Sequence, residues 1–225
     1  MNALSVAVLC IAIIGHAVAA LFYAVIITDE SVARGIYFGS KVVVNAIPLL
    51  WVFGVERQRF RFPRPVRRAF APGIVTGLLI AGCLIALYKL AFAGRLDSAG
   101  LAAKAEVYGL RAHFFLFALF LCLGNSGMEE YYWRWFVFGW LRRMMPLSAA
   151  VIVSALGFTL HHIVVLSVYF PNPALLLFFN IGVFAGGCIW AILYERYDSI
   201  YTPWVSHFFV DVGIMVVAYD LLFGH

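Results

Sequence analysis

Seven runs of apolar residues follow one another along the chain, and each is long enough to cross a hydrocarbon core of about 30 Å as a helix. They cover about residues 3–27, 35–55, 69–93, 111–141, 147–170, 174–194 and 200–223. No alternating ten-residue strand pattern is present, and backbone groups inside a bilayer must be bonded internally, so we expect helices. The pattern predicts an all-α fold, a polytopic transmembrane helical bundle of about seven spans, with residues 1–225 forming a single membrane domain.

The fourth run is longer than one span requires. Residues 111–141 would form about 46 Å of helix at about 1.5 Å per residue. Such a helix must tilt, protrude or break. We expect a break at Gly124-Asn-Ser-Gly127, because glycine and side chains that compete for backbone bonds weaken a helix.

Composition excludes a water-soluble fold. The chain is 64% hydrophobic and 12% charged, whereas ordinary soluble domains are about 45–50% apolar and about 25% charged. The net charge of +5 does not indicate nucleic acid, because six of the sixteen basic residues lie in residues 56–68, between two runs. This loop is expected to be cytoplasmic, which places the N-terminus there too. Since no organelle-targeting segment is present, we expect a multi-pass protein of a prokaryotic inner membrane.

The first cluster of ionisable residues lies in the fourth run, as Glu129-Glu130-Tyr-Tyr-Trp-Arg134. Such residues cost at least about 2.5–3.5 kcal/mol each in hydrocarbon, which makes them functional candidates. Glu130 and Arg134 are four residues apart and can pair on one helix face, leaving Glu129 beside a partly compensated neighbour. Two adjacent carboxyls are hard to ionise together, which suits one of them to general-base work. A structural ion pair between helices is the alternative.

The second and third clusters are Phe158-Thr-Leu-His161-His162 and His207-Phe-Phe-Val-Asp211. A lone intramembrane histidine can simply bond a neighbouring helix. The spacing of His207 and Asp211 puts both on one face, as in an oriented imidazole, a metal site or a packing pair. Counted from the cytoplasmic ends at about 1.5 Å per residue, Glu129 lies about 20 Å deep, His162 about 22 Å and His207 about 13 Å. The three clusters are predicted to meet, although His207 is about 8 Å too shallow.

Three motifs in this order, Glu-Glu-xxx-Arg, Phe-xxx-His and His-xxx-Asn/Asp, resemble those of the CPBP (ABI) family of intramembrane proteases. That family includes type II CAAX prenyl endopeptidases and bacterial proteins linked to bacteriocin processing and self-immunity. The resemblance implies that residues 111–223 form the catalytic helices of an endopeptidase acting on a membrane-associated or C-terminally anchored protein. It makes Glu129 the base that activates water, supported by Glu130 and Arg134. His162 then orients the water, while His207 and Asp211 stabilise the oxyanion or orient the substrate carbonyl.

The chain departs from the family pattern at two positions. Asp211 stands where the family often has Asn, and a carboxylate donates no hydrogen bond to an oxyanion unless it is protonated. Trp135 stands where Gly commonly follows the Arg, which affects substrate access on that face. His161 lies beside His162, and Phe158 four residues earlier favours His162 as the motif residue.

The resemblance implies a glutamate mechanism without a cofactor. A glutamate and two histidines can also hold zinc with an open site, but the His-Glu-xx-His spacing is absent. We therefore expect no metal. The expected partners are a protein or peptide substrate and the lipid bilayer.

Two other functions compete with proteolysis. A non-proteolytic immunity or binding protein could use the same scaffold, and its interaction would survive the loss of Glu129 and His162. A proton-coupled transporter also needs buried Glu, His and Asp, but no inverted repeat is present. Outside the motifs, we expect interfacial side chains at His16, His113, Lys41 and Lys89.

Overall fold

A computed structural model describes residues 3–57, 67–107 and 109–224. Every regular element within these ranges is helical, which confirms the predicted all-α class. Six helices are long and apolar enough, by length and composition, to cross a membrane. The fourth apolar run is helical too, although it consists of shorter segments. The chain is therefore a polytopic helical bundle, consistent with about seven spans.

We label the helices α1 to α8 in chain order. Three of them continue directly into a π-helical stretch, which is given in parentheses, and α5 is a run of five segments. The helices are α1 Ala3–Leu21 (Phe22–Ile26), α2 Glu30–Leu49 (Leu50–Val55), α3 Arg67–Leu87 (Tyr88–Phe92), α4 Ser98–Val107, α5 Phe114–Leu119, Phe120–Asn125, Ser126–Glu130, Tyr131–Phe138 and Gly139–Leu141, α6 Leu147–Tyr169, α7 Pro173–Tyr197, and α8 Tyr201–Phe223.

Side-chain caps set two of the helix starts. The carboxylate of Asp29 accepts a hydrogen bond from the Val32 backbone N–H at 2.9 Å, so α2 begins at Glu30, five residues before the second apolar run. Asn172 caps α7 in the same way, through the Ala174 backbone N–H at 2.9 Å. A side-chain oxygen at this position bonds a backbone N–H that the helix leaves unpaired.

The fourth run does not break where we expected. It stays helical from Phe114 to Leu141, but two of its segments, Phe120–Asn125 and Tyr131–Phe138, are π-helical. The first ends inside the Gly124–Gly127 sequence, so the weak point changes the helix geometry instead of ending the helix. Such π-helical turns occur frequently at functional sites.

The described residues form two compact units, each built from separate parts of the chain. The first unit comprises Met1–Pro63 and Tyr131–Ile192, and the second comprises Arg64–Glu130 and Leu193–His225. The boundary inside α5 therefore falls directly after Glu130. Residues 58–66 of the basic loop lie outside the described residues, and the orientation inferred from that loop stays a prediction.

In the second unit, α8 packs closely on α3 at positions that lack side chains. A Cβ atom at Gly77 would lie 2.7 Å from the Ser206 carbonyl oxygen, and one at Gly73 would lie 2.5 Å from that of Thr202. Further along α8, a Cβ at Gly213 would lie 3.0 Å from the Ala81 Cβ. The absence of side chains at these glycines thus allows the backbones of α8 and α3 to approach closely.

In the first unit, α1 packs against α6 with similar tightness. A Cβ at Gly157 of α6 would lie 3.0 Å from Ile13 of α1 and 2.8 Å from the Trp133 ring of α5. Ala12, the neighbour of Ile13, is completely buried. Three helices therefore meet at Gly157, one turn before His161.

Candidate active site

His207 of α8 lies between three acidic residues of the second unit. Its Nδ1–H donates a hydrogen bond to Oε1 of Glu130 at 2.8 Å. On the other side of the ring, Nε2 lies 3.7 Å from Oε2 of Glu129 and 3.6 Å from Oδ1 of Asp211. All four side chains are buried, Glu130 completely. One imidazole is thus surrounded by three carboxyl groups in a site shielded from solvent.

The two nitrogens of this imidazole differ in their contacts. The distance to Glu130 is that of a strong, charge-assisted hydrogen bond, which fixes the ring orientation and places a proton on Nδ1. The distances of 3.6 and 3.7 Å from Nε2 exceed the usual limit of about 3.2 Å. Two carboxyl oxygens thus lie near Nε2 at distances slightly beyond a hydrogen bond.

Asn125 holds the carboxylate of Glu129. Its side-chain N–H donates to Oε1 of Glu129 at 2.9 Å, which leaves Oε2 as the oxygen that faces His207. From its residue type, Asn125 was expected only to weaken the helix. Its position four residues before Glu129 was enough to predict this hydrogen bond, because side chains at that spacing are neighbours on a helix.

The short segment that carries both glutamates is attached to α8 by Trp204. The indole N–H of Trp204 lies 3.2 Å from both the Leu123 carbonyl oxygen and Oγ of Ser126. A Cβ at Gly127 would lie 3.1 Å from the same indole nitrogen, so a side chain there would press on this contact. Ser126 also donates to the Cys122 carbonyl oxygen. These contacts hold the segment with Glu129 and Glu130 against the part of α8 that carries His207.

Asp211 lies one turn after His207, as the spacing predicted. Its Oδ1 faces His207, and its Oδ2 is buried with no hydrogen-bond partner among the described residues. A buried polar atom left without a partner is costly, so a polar group bound beside Oδ2 would stabilise the site.

Arg134 lies in the first unit, buried between aromatic rings. Its guanidinium carbon is 4.7 Å from the centre of the Phe158 ring and 5.1 Å from that of Trp190. The group also donates to the Gly187 carbonyl oxygen at 3.4 Å. These contacts join α5, α6 and α7. The predicted pairing of Arg134 with Glu130 stays a prediction.

The two neighbouring histidines of α6 have different surroundings in the first unit. Nδ1 of His162 lies 2.9 Å from the Phe158 carbonyl oxygen, and because a carbonyl only accepts, that nitrogen carries the proton. His162 is half-buried, while His161 is buried and stacks on Trp133 with ring centres 6.0 Å apart. The four-residue spacing from Phe158, which favoured His162 as the motif residue, thus allows a hydrogen bond that fixes the tautomer of His162.

The structure brings Glu129, Glu130, His207 and Asp211 together within one unit. The apparent depth mismatch of His207 is resolved there, since its ring bonds Glu130 directly. The prediction that His162 and Arg134 join the same site stays a prediction. The expectation of an interfacial side chain at His16 was wrong, because this residue is buried. His113, by contrast, is exposed as expected.

Residues 111–213 match the family model described as type II CAAX prenyl endopeptidase Rce1-like. The matched segment contains all six residues of the predicted site and ends two residues after Asp211. No curated protein and no solved structure matches the chain. The family match confirms the resemblance stated from the three motifs.

Proposed function

Because residues 111–213 match the family model described as type II CAAX prenyl endopeptidase Rce1-like, we propose that this integral membrane protein is an endopeptidase. It hydrolyses a peptide bond of a membrane-associated or C-terminally anchored protein. The observation that carries the proposal is the group of three buried carboxyls around His207. Burying four ionisable side chains in a membrane protein is costly, and such residues mark functional sites.

Glu129 is the proposed general base. Its Oε2 accepts a proton from a bound water molecule, and the hydroxide attacks the carbonyl carbon of the scissile peptide bond. The protonated Glu129 then gives the proton to the leaving nitrogen as the C–N bond breaks. The Asn125 bond to Oε1 supports this role, because it fixes the orientation of the carboxylate whose other oxygen, Oε2, faces His207.

His207 is the proposed donor to the oxyanion. With Nδ1–H bonded to Glu130, a protonated Nε2 presents its N–H on the side of the ring where Glu129 and Asp211 lie. Donors that are fixed before the reaction stabilise developing charge without reorganising, and a dry site strengthens the effect. Glu130 is a positioning residue in this mechanism, because it acts on the reaction through His207.

His162 and Arg134 keep the roles that the family resemblance implies. We propose that His162 orients the attacking water through Nε2, since its Nδ1 is already bonded to the Phe158 carbonyl. Arg134 supports the helix on which the glutamates lie, through its contacts with Phe158 and Trp190. No metal takes part in the proposed reaction.

The test uses the purified protein in lipid nanodiscs and an S-farnesylated peptide that ends in the Cys-aliphatic-aliphatic-X pattern. Mass spectrometry should detect loss of the last three residues with the wild type and no product with Glu129→Gln. In parallel, membrane proteomes of cells that carry wild type or Glu129→Gln are compared. A protein that accumulates uncleaved in the variant cells identifies the natural substrate.

Glu106→Gln is the matched control, since Glu106 is an exposed glutamate of α4 in the same unit. It should cleave at the wild-type rate. Normal cleavage by Glu129→Gln would overturn the proposal. Cellular protection or binding that persists in Glu129→Gln and His162→Gln, with no protein accumulating, would support the non-proteolytic scaffold instead.

A further inference from the structure

Three histidine rings form a row inside the first unit. The rings of His16 and His161 have their centres 5.6 Å apart, and those of His161 and His162 are 4.0 Å apart. His16 comes from α1, which lies outside the segment that matches the family, whereas the other two belong to α6. Both His16 and His161 are buried.

Aromatic contacts hold His16 and His161 in place. The His16 ring meets the Tyr132 ring edge-on, with centres 4.5 Å apart and an angle of 84° between the planes. Tyr132 in turn donates its hydroxyl to the Ala12 carbonyl oxygen of α1 at 2.8 Å. His161 lies parallel to the Trp133 ring, with 7° between the planes. Neighbouring residues of α5 thus position the first two rings of the row.

The row ends at a side chain with a fixed tautomer. His162 has its ring centre 4.5 Å from that of Phe158, and its Nδ1–H bonds the Phe158 carbonyl. His161 lies against the His162 ring, so the position of His161 limits how His162 can tilt. His16 also contacts the ring of His161, so α1 contributes a side chain to the surroundings of the residue that limits His162.

We propose that His16 is a positioning residue that acts through His161 on the water-orienting His162. The inference rests on the proposed function of His162, and it adds a residue of α1 to the reaction. A histidine suits this position because its ring fills the space beside Tyr132 and His161 and also carries hydrogen-bonding nitrogens. A purely structural role would instead be met by any aromatic ring of similar size.

The test compares His16→Phe with His16→Asn and uses His113→Phe, at an exposed histidine, as the matched control. Cleavage of the S-farnesylated peptide gives kcat and KM. For His16→Phe we expect kcat to fall about tenfold with KM within about twofold, because small displacements of a catalytic group lower the rate. His16→Asn, which keeps a polar group, should recover at least about a third of the wild-type kcat. His113→Phe should match the wild type.

A second measurement does not depend on cleavage. Side-chain ¹⁵N NMR of histidine-labelled protein should show His162, assigned with His162→Gln, as a single Nδ1-protonated tautomer in the wild type. We expect a mixture of tautomers in His16→Phe. If His16→Phe fails to fold, His16→Leu, which also lacks hydrogen-bonding atoms, takes its place: a mixture of tautomers or a kcat lowered about tenfold supports the inference, and wild-type values of both overturn it.

The two proposals fail in different ways. If Glu129→Gln is inactive while both His16 variants keep wild-type kcat and the single tautomer, the role of His16 is wrong and the endopeptidase stands. If Glu129→Gln cleaves normally, the endopeptidase mechanism is wrong and the role of His16 in it is overturned as well.

Discussion

Replacing Glu130 with Gln removes the charge that His207 bonds while keeping the shape of the side chain. The two bonded atoms are 2.8 Å apart, and Glu130 is fully buried, so water cannot replace the lost carboxylate. Hydrogen bonds to charged groups contribute about 1.5–3 kcal/mol and neutral ones about 0.5–1.5 kcal/mol. The orientation of His207 should therefore lose about 1–1.5 kcal/mol. Because about 1.4 kcal/mol corresponds to a tenfold change in rate, kcat should fall about tenfold.

The assay measures kcat for the S-farnesylated peptide together with thermal unfolding in the same nanodiscs. Glu130→Ala should lower kcat further and destabilise the protein by about 1–3 kcal/mol, because it leaves the His207 N–H buried without an acceptor. Glu106→Gln, the exposed control, should change neither quantity. Wild-type kcat in both Glu130 variants would refute the conclusion that Glu130 positions His207.

Four further predictions concern packing, the site and metal. Gly77→Ala should lower the free energy of unfolding by about 1–3 kcal/mol, since its Cβ would lie 2.7 Å from a carbonyl oxygen of α8. Gly82→Ala is the control, because a Cβ there would have no described atom of another helix within 4 Å. It should leave the midpoint of thermal unfolding unchanged or raise it. Asp211→Asn should keep kcat within about threefold of wild type, because its amide can donate to the oxyanion; a loss above a hundredfold would contradict this role. Asn125→Ala should lower kcat about tenfold at unchanged stability, because Glu129 loses its hydrogen bond. Incubation with a chelator should leave peptide cleavage unchanged, and loss of activity that zinc restores would show a metal site.

The helices could be predicted because hydrophobicity in a bilayer leaves few alternatives. The second helix begins at Glu30, earlier than its apolar residues, because a cap at Asp29 extends it. The π-helical stretches could not be predicted, since they depend on backbone hydrogen bonds that side-chain patterns do not report. The short helix α4 was likewise missed, because it lies in a mildly polar connection.

The site was predicted best where its residues share one helix. The spacing of His207 and Asp211 placed both on one face, and the same rule applied to Asn125 would have found its bond to Glu129. The bond between Glu130 and His207 was not predicted, because it joins residues 77 positions apart in the chain. The burial of His16 was missed for the same reason: it depends on which helices pack together.

The close packing of α8 on α3 also bears on how the chain enters the membrane. A helix that carries Asp211 near its centre is poorly suited to insert alone, because an acidic side chain there costs at least about 2.5 kcal/mol on insertion scales. The glycines of α3 let α8 pack closely, and the π-helical end of α3 supplies Tyr88 and Lys89, which both donate to Asp220 of α8. We therefore expect the last helix to leave the translocon only after pairing with α3, which was synthesised more than a hundred residues earlier. Mutations in α3 would then act as topology defects of the C-terminus.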